Sequence, residues 1–225
     1  MHLKLKVVGT LEDCLQDLRS ESSAARKASL SLDIALGLSA FHSCGLVHGD
    51  IKPGNIVIQS HPTRAVIAKL SDFSGAESQS AYGHGAHYRL GTPEWQPPEV
   101  LNNDESIDWQ AADVYAYGMV IATLWTRIGF ISLGGSFLDP FIPYDLDRDH
   151  KLQYTTLLKT LPDADERSMI NLGHKAVSET IGSPIPLASI INGCLSTNPN
   201  IRVTMAKLLD SVFVNFAQTS DRQFP

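Results

Sequence analysis

The sequence predicts a mainly α-helical fold with a small antiparallel β ribbon, and three stretches carry that prediction. From Ala25 to His42, Leu30, Ile34, Leu38 and Phe41 recur at three- and four-residue steps, and Leu32, Ala35 and Leu36 widen the apolar face. That is the period of an amphipathic helix. Ile56-Val57-Ile58 and Ala65 to Leu70 are short β-like runs, with turn signals at Pro53-Gly54 and His61-Pro62. Val114 to Trp125 is apolar on all sides, which predicts a buried core helix. It falls short of the roughly 20 residues that a membrane-spanning helix needs.

The remaining elements follow in order. Residues 1–10 suit a short strand and a Gly-Thr turn, and Leu11, Cys14, Leu15 and Leu18 then mark a short amphipathic helix. Residues 19–24 are polar and turn-like, with Ser20, Ser22 and Ser23 as candidate caps. Cys44-Gly45 ends the long helix, as Gly just past a last turn does. Leu46-Val47 is a further β-like run, and a polar loop, His48 to Asn55, follows it. Residues 74–92 are rich in Ser, Gly, Ala and His without periodicity, which predicts a long loop; Gly83 to His87 reads as flexible chain rather than a metal site. From Ala111 onward the pattern is helical, broken by Pro and Gly at 129–150, with a terminal helix from Thr204 to Phe216.

Composition narrows the classes. At 225 residues, 43% hydrophobic and 19% charged, the chain suits one sizeable core. A formal net charge of −6 argues against nucleic-acid binding by broad phosphate neutralisation, yet leaves room for a nucleotide held by local groups. Cys14, Cys44 and Cys194 are widely spaced and form no CxxC pair, which predicts reduced thiols in a cytoplasmic or nuclear protein. The first ten residues carry no signal-peptide pattern. A soluble protein without a membrane partner is expected.

Chemistry concentrates in three segments: His48-Gly49-Asp50-Ile51-Lys52-Pro53-Gly54-Asn55, Ser71-Asp72-Phe73-Ser74-Gly75, and Gly91-Thr92-Pro93-Glu94-Trp95-Gln96-Pro97-Pro98-Glu99. Phosphoryl transfer needs a carboxylate to orient the acceptor hydroxyl, oxygen ligands for Mg²⁺, and positive charge near the transferred group. Asp50, Asn55, Asp72 and Lys52 are those groups. Taken singly, each has a blander reading. His48 would be a satisfied core histidine, Asp72 a strand-end cap, and Asp113 a helix N-cap.

As an ordered set, these residues resemble the protein kinase family. His48-Gly49-Asp50 with Asn55 resembles its catalytic loop, Asp72-Phe73-Ser74 its D-F-G, and Pro97-Pro98-Glu99 its A-P-E. The likeness runs from about residue 8 to about residue 215. It implies a kinase-like C-terminal lobe over 1–225: a hinge-like segment and first helix at 1–20, catalytic and metal-binding loops at 46–72, an activation segment at 72–99, and a helical subdomain at 111–216. It further implies Asp50 as catalytic base, Lys52 on the γ-phosphate of ATP, and Asn55 and Asp72 on Mg²⁺. His48 would give structural support. Thr92 would tie the peptide-binding segment to Asp50 and Lys52, Asp113 would receive the loop's backbone amides, and Arg202 would pair with Glu99. Lys52 and the Gly91-Thr92-Pro93-Glu94 run imply transfer from ATP to Ser or Thr of a protein substrate.

Three departures qualify the resemblance. Gly49 stands where many kinases carry Arg, so activity is expected not to depend on phosphorylation between Asp72 and Glu99. Ser74 replaces the D-F-G glycine, and strain is expected there because a Cβ narrows the backbone range. The 225 residues contain no Gly-rich loop and no V-A-I-K lysine, so most of the ATP-gripping N-lobe is expected to be missing, apolar surface to be exposed and nucleotide affinity to be weak. A non-catalytic regulatory module and a small-molecule phosphotransferase of the aminoglycoside kinase type are the competing readings.

Overall fold

The computed structural model describes residues 6–20, 24–81, 91–125 and 187–213. The chain opens with strand β1 (Val7–Thr10) and helix α1 (Leu11–Ser20), followed by helix α2 (Ala24–Ser43). Gly9 and Thr10 are the end of a paired strand rather than a free turn. The step from β1 into α1 is a reciprocal cap. Asp13 N–H donates to Thr10 Oγ1 at 3.2 Å, and Thr10 N–H donates to Asp13 Oδ2 at 2.8 Å. Helix α1 continues through Ser20, past the polar turn expected from residue 19. Ser22 and Ser23 lie outside the described residues. Gly45, at φ 70°, closes α2 by donating to His42 O at 2.9 Å.

Strands β2 (Leu46–Val47), β3 (Ile56–His61), β4 (Ala65–Leu70) and β5 (Glu77–Ser78) complete two antiparallel sheets, ordered β1-β3-β4 and β2-β5. Of the three predicted runs, Ile56-Val57-Ile58 and Ala65–Leu70 pair as the ribbon, whereas Leu46–Val47 pairs with β5 instead. β1 joins the ribbon through Val7↔Gln59 and Thr10↔Val57, and β5 lies inside the stretch expected to be loop. β5 escapes prediction because a two-residue strand has no period to read. The β3–β4 hairpin places Asn55 and Ser71 side by side, where Ser71 N–H donates to Asn55 O at 3.0 Å. Its turn is tied to α2 by Arg64, which donates to both oxygens of Asp33 at 2.8 Å.

Helices α3 (Pro98–Leu101), α4 (Trp109–Trp125), α5 (Leu187–Cys194) and α6 (Met205–Leu208) follow, and α6 runs into a π-helical turn at Leu209–Phe213. Thr204 caps α6 by accepting from Lys207 N–H at 3.3 Å. Helix α4 is buried on every side from Ala112 to Trp125, as its sequence predicts. Gly118 lets α5 approach, since a Cβ there would lie 2.6 Å from Cys194 Cβ. Trp95, Trp109 and Trp125 are buried as packing groups. Cys14, Cys44 and Cys194 are free thiols, and burial raises the pKa of Cys194. No described helix is long and apolar enough to cross a membrane. The Gly/His-rich loop at 83–87, the broken stretch at 129–150 and the expected helix end at 214–216 lie outside the described residues.

Candidate active site

Helix α4 sits beneath the His48–Asn55 loop and holds it through one side chain. Asp113 lies inside the helix, so the N-cap reading fails; Asp108 caps α4 instead, accepting from Ala111 N–H at 3.0 Å. Asp113 is 3% exposed and accepts from His48 N–H at 2.8 Å, Gly49 N–H at 2.9 Å and His42 Nε2 at 3.1 Å. A buried carboxylate is stable only when its oxygens are satisfied, and here three donors satisfy them. Gly49 takes φ 81°, a left-handed conformation that Gly reaches without a Cβ penalty.

His48 is fully buried. Its Nε2 lies 3.1 Å from Ser71 O and its Nδ1 3.4 Å from Asp50 N. This pairing assigns the proton to Nε2, because Nδ1 faces a donor. Its ring packs against Phe41 and Phe73, with centroids at 5.9 and 5.5 Å. His48 is thus buried, with both ring nitrogens facing backbone polar groups and its ring packed against two phenylalanines.

Asp50 is the centre of the site. Its Oδ1 accepts from Thr92 Oγ1 at 2.8 Å, and its Oδ2 accepts from Lys52 Nζ at 2.7 Å and Asn55 Nδ2 at 2.8 Å. Lys52 also donates to Thr92 Oγ1 at 2.7 Å, closing a triangle across residues 50, 52 and 92. Asn55 Nδ2 donates in addition to Asp50 O at 2.8 Å. With its amino group engaged in this way, Asn55 keeps its amide oxygen on the opposite edge. Asp50 and Lys52 side chains are only 23% and 29% exposed, so their attraction is less screened than that of a surface pair.

Asp72 stands apart from this triangle. Its carboxylate accepts from Ser74 Oγ at 2.7 Å, and no hydrogen bond joins it to Asp50 or Asn55 among the described residues. The Ser74 hydroxyl, then the Ser74 backbone N–H, then the charge of Lys52 hold its pKa below the ordinary carboxylate value. Asp72 is therefore ionised at neutral pH. The strain expected at Ser74 falls elsewhere. Asp72 itself takes φ 59°, and neither Ser74 nor Gly75 is left-handed. Asp tolerates that region better than most residues, and the Ser74 hydroxyl braces it.

Gly91 and Glu99 fix the far wall. Gly91 takes φ 115°, and a Cβ there would lie 2.7 Å from Gly49 O and 2.6 Å from Gln96 Nε2. Gly91→Ala is expected to cost about 1–3 kcal/mol, because backbone must move. A urea midpoint unchanged from the parent chain would refute this. Glu99 and Arg202 form a buried pair, with Arg202 Nη1 2.6 Å from Oε1 and Nη2 3.1 Å from Oε2.

Sequence reasoning passed over four residues of this framework. His42 and Gln110 carry no motif, and only their contacts identify them. Thr10-x-x-Asp13 did carry a signal, the spacing of a capping box.

A loop pinned from below by a buried Asp and a carboxylate braced by lysine, threonine and asparagine define the class of domain, and the comparisons agree. The protein kinase domain family matches residues 1–214, and the chain belongs to that family. The dual specificity testis-specific protein kinase 1 of Homo sapiens is 37% identical over 124 residues, which is 53% of this chain and 19% of that protein. A probable serine/threonine-protein kinase, roco9, of Dictyostelium discoideum is 31% identical over 126 residues, 55% of this chain and 4% of that protein. The serine/threonine-protein kinase stk11 of Xenopus laevis is 34% identical over 94 residues, 41% of this chain and 21% of that protein. The matched segment thus spans about a fifth or less of these curated relatives.

Proposed function

We propose that the chain is the catalytic lobe of a serine/threonine protein kinase, transferring the γ-phosphoryl group of ATP to a hydroxyl of a protein substrate. The observation that carries this reading is the Asp50 carboxylate, held at once by Lys52, Thr92 and Asn55. Asp50 orients the acceptor hydroxyl and receives its proton as the new oxygen–phosphorus bond forms. The bond from the γ-phosphorus to the β-bridging oxygen breaks, and ADP leaves. The Lys52 ammonium steadies the charge on the transferred group, and Thr92 keeps the substrate-binding segment against Asp50.

The Asn55 amide oxygen and the ionised Asp72 carboxylate are hard oxygen donors, the set that Mg²⁺ prefers. They lie at neighbouring ends of the β3–β4 hairpin, and they would hold the ion that neutralises ATP phosphates. Segments 1–20, 46–72, 72–99 and 111–216 keep the roles that the resemblance implies. Val7 and Val8, 55% and 56% exposed on β1, offer apolar surface where an ATP-gripping lobe would pack.

Asp50→Asn is expected to lower phosphate transfer to a generic protein substrate by about a thousandfold, the scale of a lost general base. Retention of the biological role in the Asp50→Asn protein would favour the regulatory-module reading. Phosphorylation of an aminoglycoside but no protein would favour the small-molecule reading, which the family match weighs against.

A further inference from the structure

The N-terminus of α4 is joined to two other elements by a pair of glutamines that the catalytic reading does not use. Gln110 donates both hydrogens of its side-chain amide, to His42 O at 3.1 Å and to Leu46 O at 3.2 Å. It thereby spans the α2–β2 turn, which delivers the chain to His48. Its backbone N–H, one of the donors a helix start leaves unpaired, donates to Gln79 Oε1 at 3.1 Å. Gln79 comes one residue after β5, and its own N–H donates to Gly45 O at 2.9 Å within the same turn. Gln79 Nε2 also reaches the α4 cap, Asp108 Oδ1, at 3.4 Å.

Geometry gives the pair its purpose. Gln110 and Asp113 are three residues apart and share one helix face. Helix α4 therefore holds this part of the chain at two points, with Gln110 on the carbonyls of residues 42 and 46 ahead of the loop and Asp113 on the amides of residues 48 and 49 within it. The ladder joining β5 to β2 is only two residue pairs, Leu46↔Ser78 and Val47↔Glu77. A ladder that short does not fix a register by itself.

We propose that Gln79 and Gln110 form a positioning clamp, which locks the segment following Asp72 to the turn that launches the catalytic loop. Its effect on rate rests on the phosphotransfer reading above; its effect on the loop does not. Gln110 lines a cavity of about 410 Å³, so side chains of similar length fit without overpacking.

The test is amide hydrogen exchange on the full chain, paired with steady-state kinetics. In Gln110→Leu, exchange across residues 44–50 is expected to rise about tenfold or more, while residues 56–70 keep the parent rate. Gln110→Glu, which turns a carboxylate toward two carbonyl oxygens, is expected to exceed Gln110→Leu. Gln79→Leu is expected to accelerate exchange across residues 77–79 and at the Gln110 amide. In active protein, kcat should fall about tenfold with KM for ATP within about twofold, because the loop is misplaced rather than the nucleotide released.

Unchanged exchange at 44–50 in both Gln110 variants would overturn the clamp. So would a uniform rise over the whole chain, which would mark Gln110 as a packing residue. Unchanged kcat alongside faster local exchange would overturn its role in rate. If the parent chain transfers no phosphate, the catalytic reading fails, and exchange alone still decides the clamp.

Discussion

Arg202→Met is expected to lower the stability of the folded chain by about 3–5 kcal/mol, the cost of stranding one partner of a buried ion pair. Arg202 places all five of its donors. Nη1 serves Glu99 Oε1 and Ala111 O, Nη2 serves Glu99 Oε2 and Ser196 O, and Nε serves Ser196 O. Its side chain is fully buried, that of Glu99 is 4% exposed, and the guanidinium carbon sits 5.1 Å from the Tyr115 ring centroid. Met fills the volume, so the loss isolates the charge. Domains of this size are stable by about 5–15 kcal/mol, so the variant should stand near the edge of folding. Urea denaturation measures it, and a loss below about 1 kcal/mol would show that the pair is solvated. Adding Glu99→Leu should recover part of the loss, since two apolar groups need no partner.

Under the proposed phosphotransfer reading, Asp113→Leu is expected to abolish phosphate transfer, and in any case to cost about 2–4 kcal/mol of stability. Two backbone N–H groups, at His48 and Gly49, lose their acceptor where water does not reach easily, and each such loss costs about 1–3 kcal/mol. The catalytic penalty is larger because Asp50 is the next residue in the loop, and a displacement of about 1 Å costs roughly a hundredfold in rate. Asp113→Asn separates the two effects. Its amide offers one acceptor oxygen and presents a donor to the other N–H, so it should fold more stably than Asp113→Leu yet remain strongly impaired. Activity of Asp113→Asn equal to the parent would mean that the loop is held elsewhere.

Much of the scaffold was legible before any coordinates. Helix α2 shows its period in Leu30, Ile34 and Leu38, all fully buried, and α4 announces its burial by having no polar face. β5 stayed hidden because two residues have no period. The π-helical turn at Leu209–Phe213 stayed hidden because its sequence suits an ordinary helix equally well. At the site, the family resemblance pointed to Asp50, Lys52, Asn55 and Thr92, and their side chains share one hydrogen-bonded network. Ser74 was read for the glycine it replaces. Its contribution lies in a hydroxyl 2.7 Å from Asp72, which no spacing rule announces.

The amino-acid sequence alone determined the helical periods, the buried nature of α4 and the membership of the motif residues in one ordered set. These are local properties, written into periodicity and spacing that the chain carries before it folds. Tertiary structure alone decided that Asp72 turns to Ser74 and that Gln110 spans a turn some 65 residues earlier. Each of those outcomes depends on where a side-chain oxygen or amide points after distant segments meet. That direction is set by packing, which no local pattern encodes.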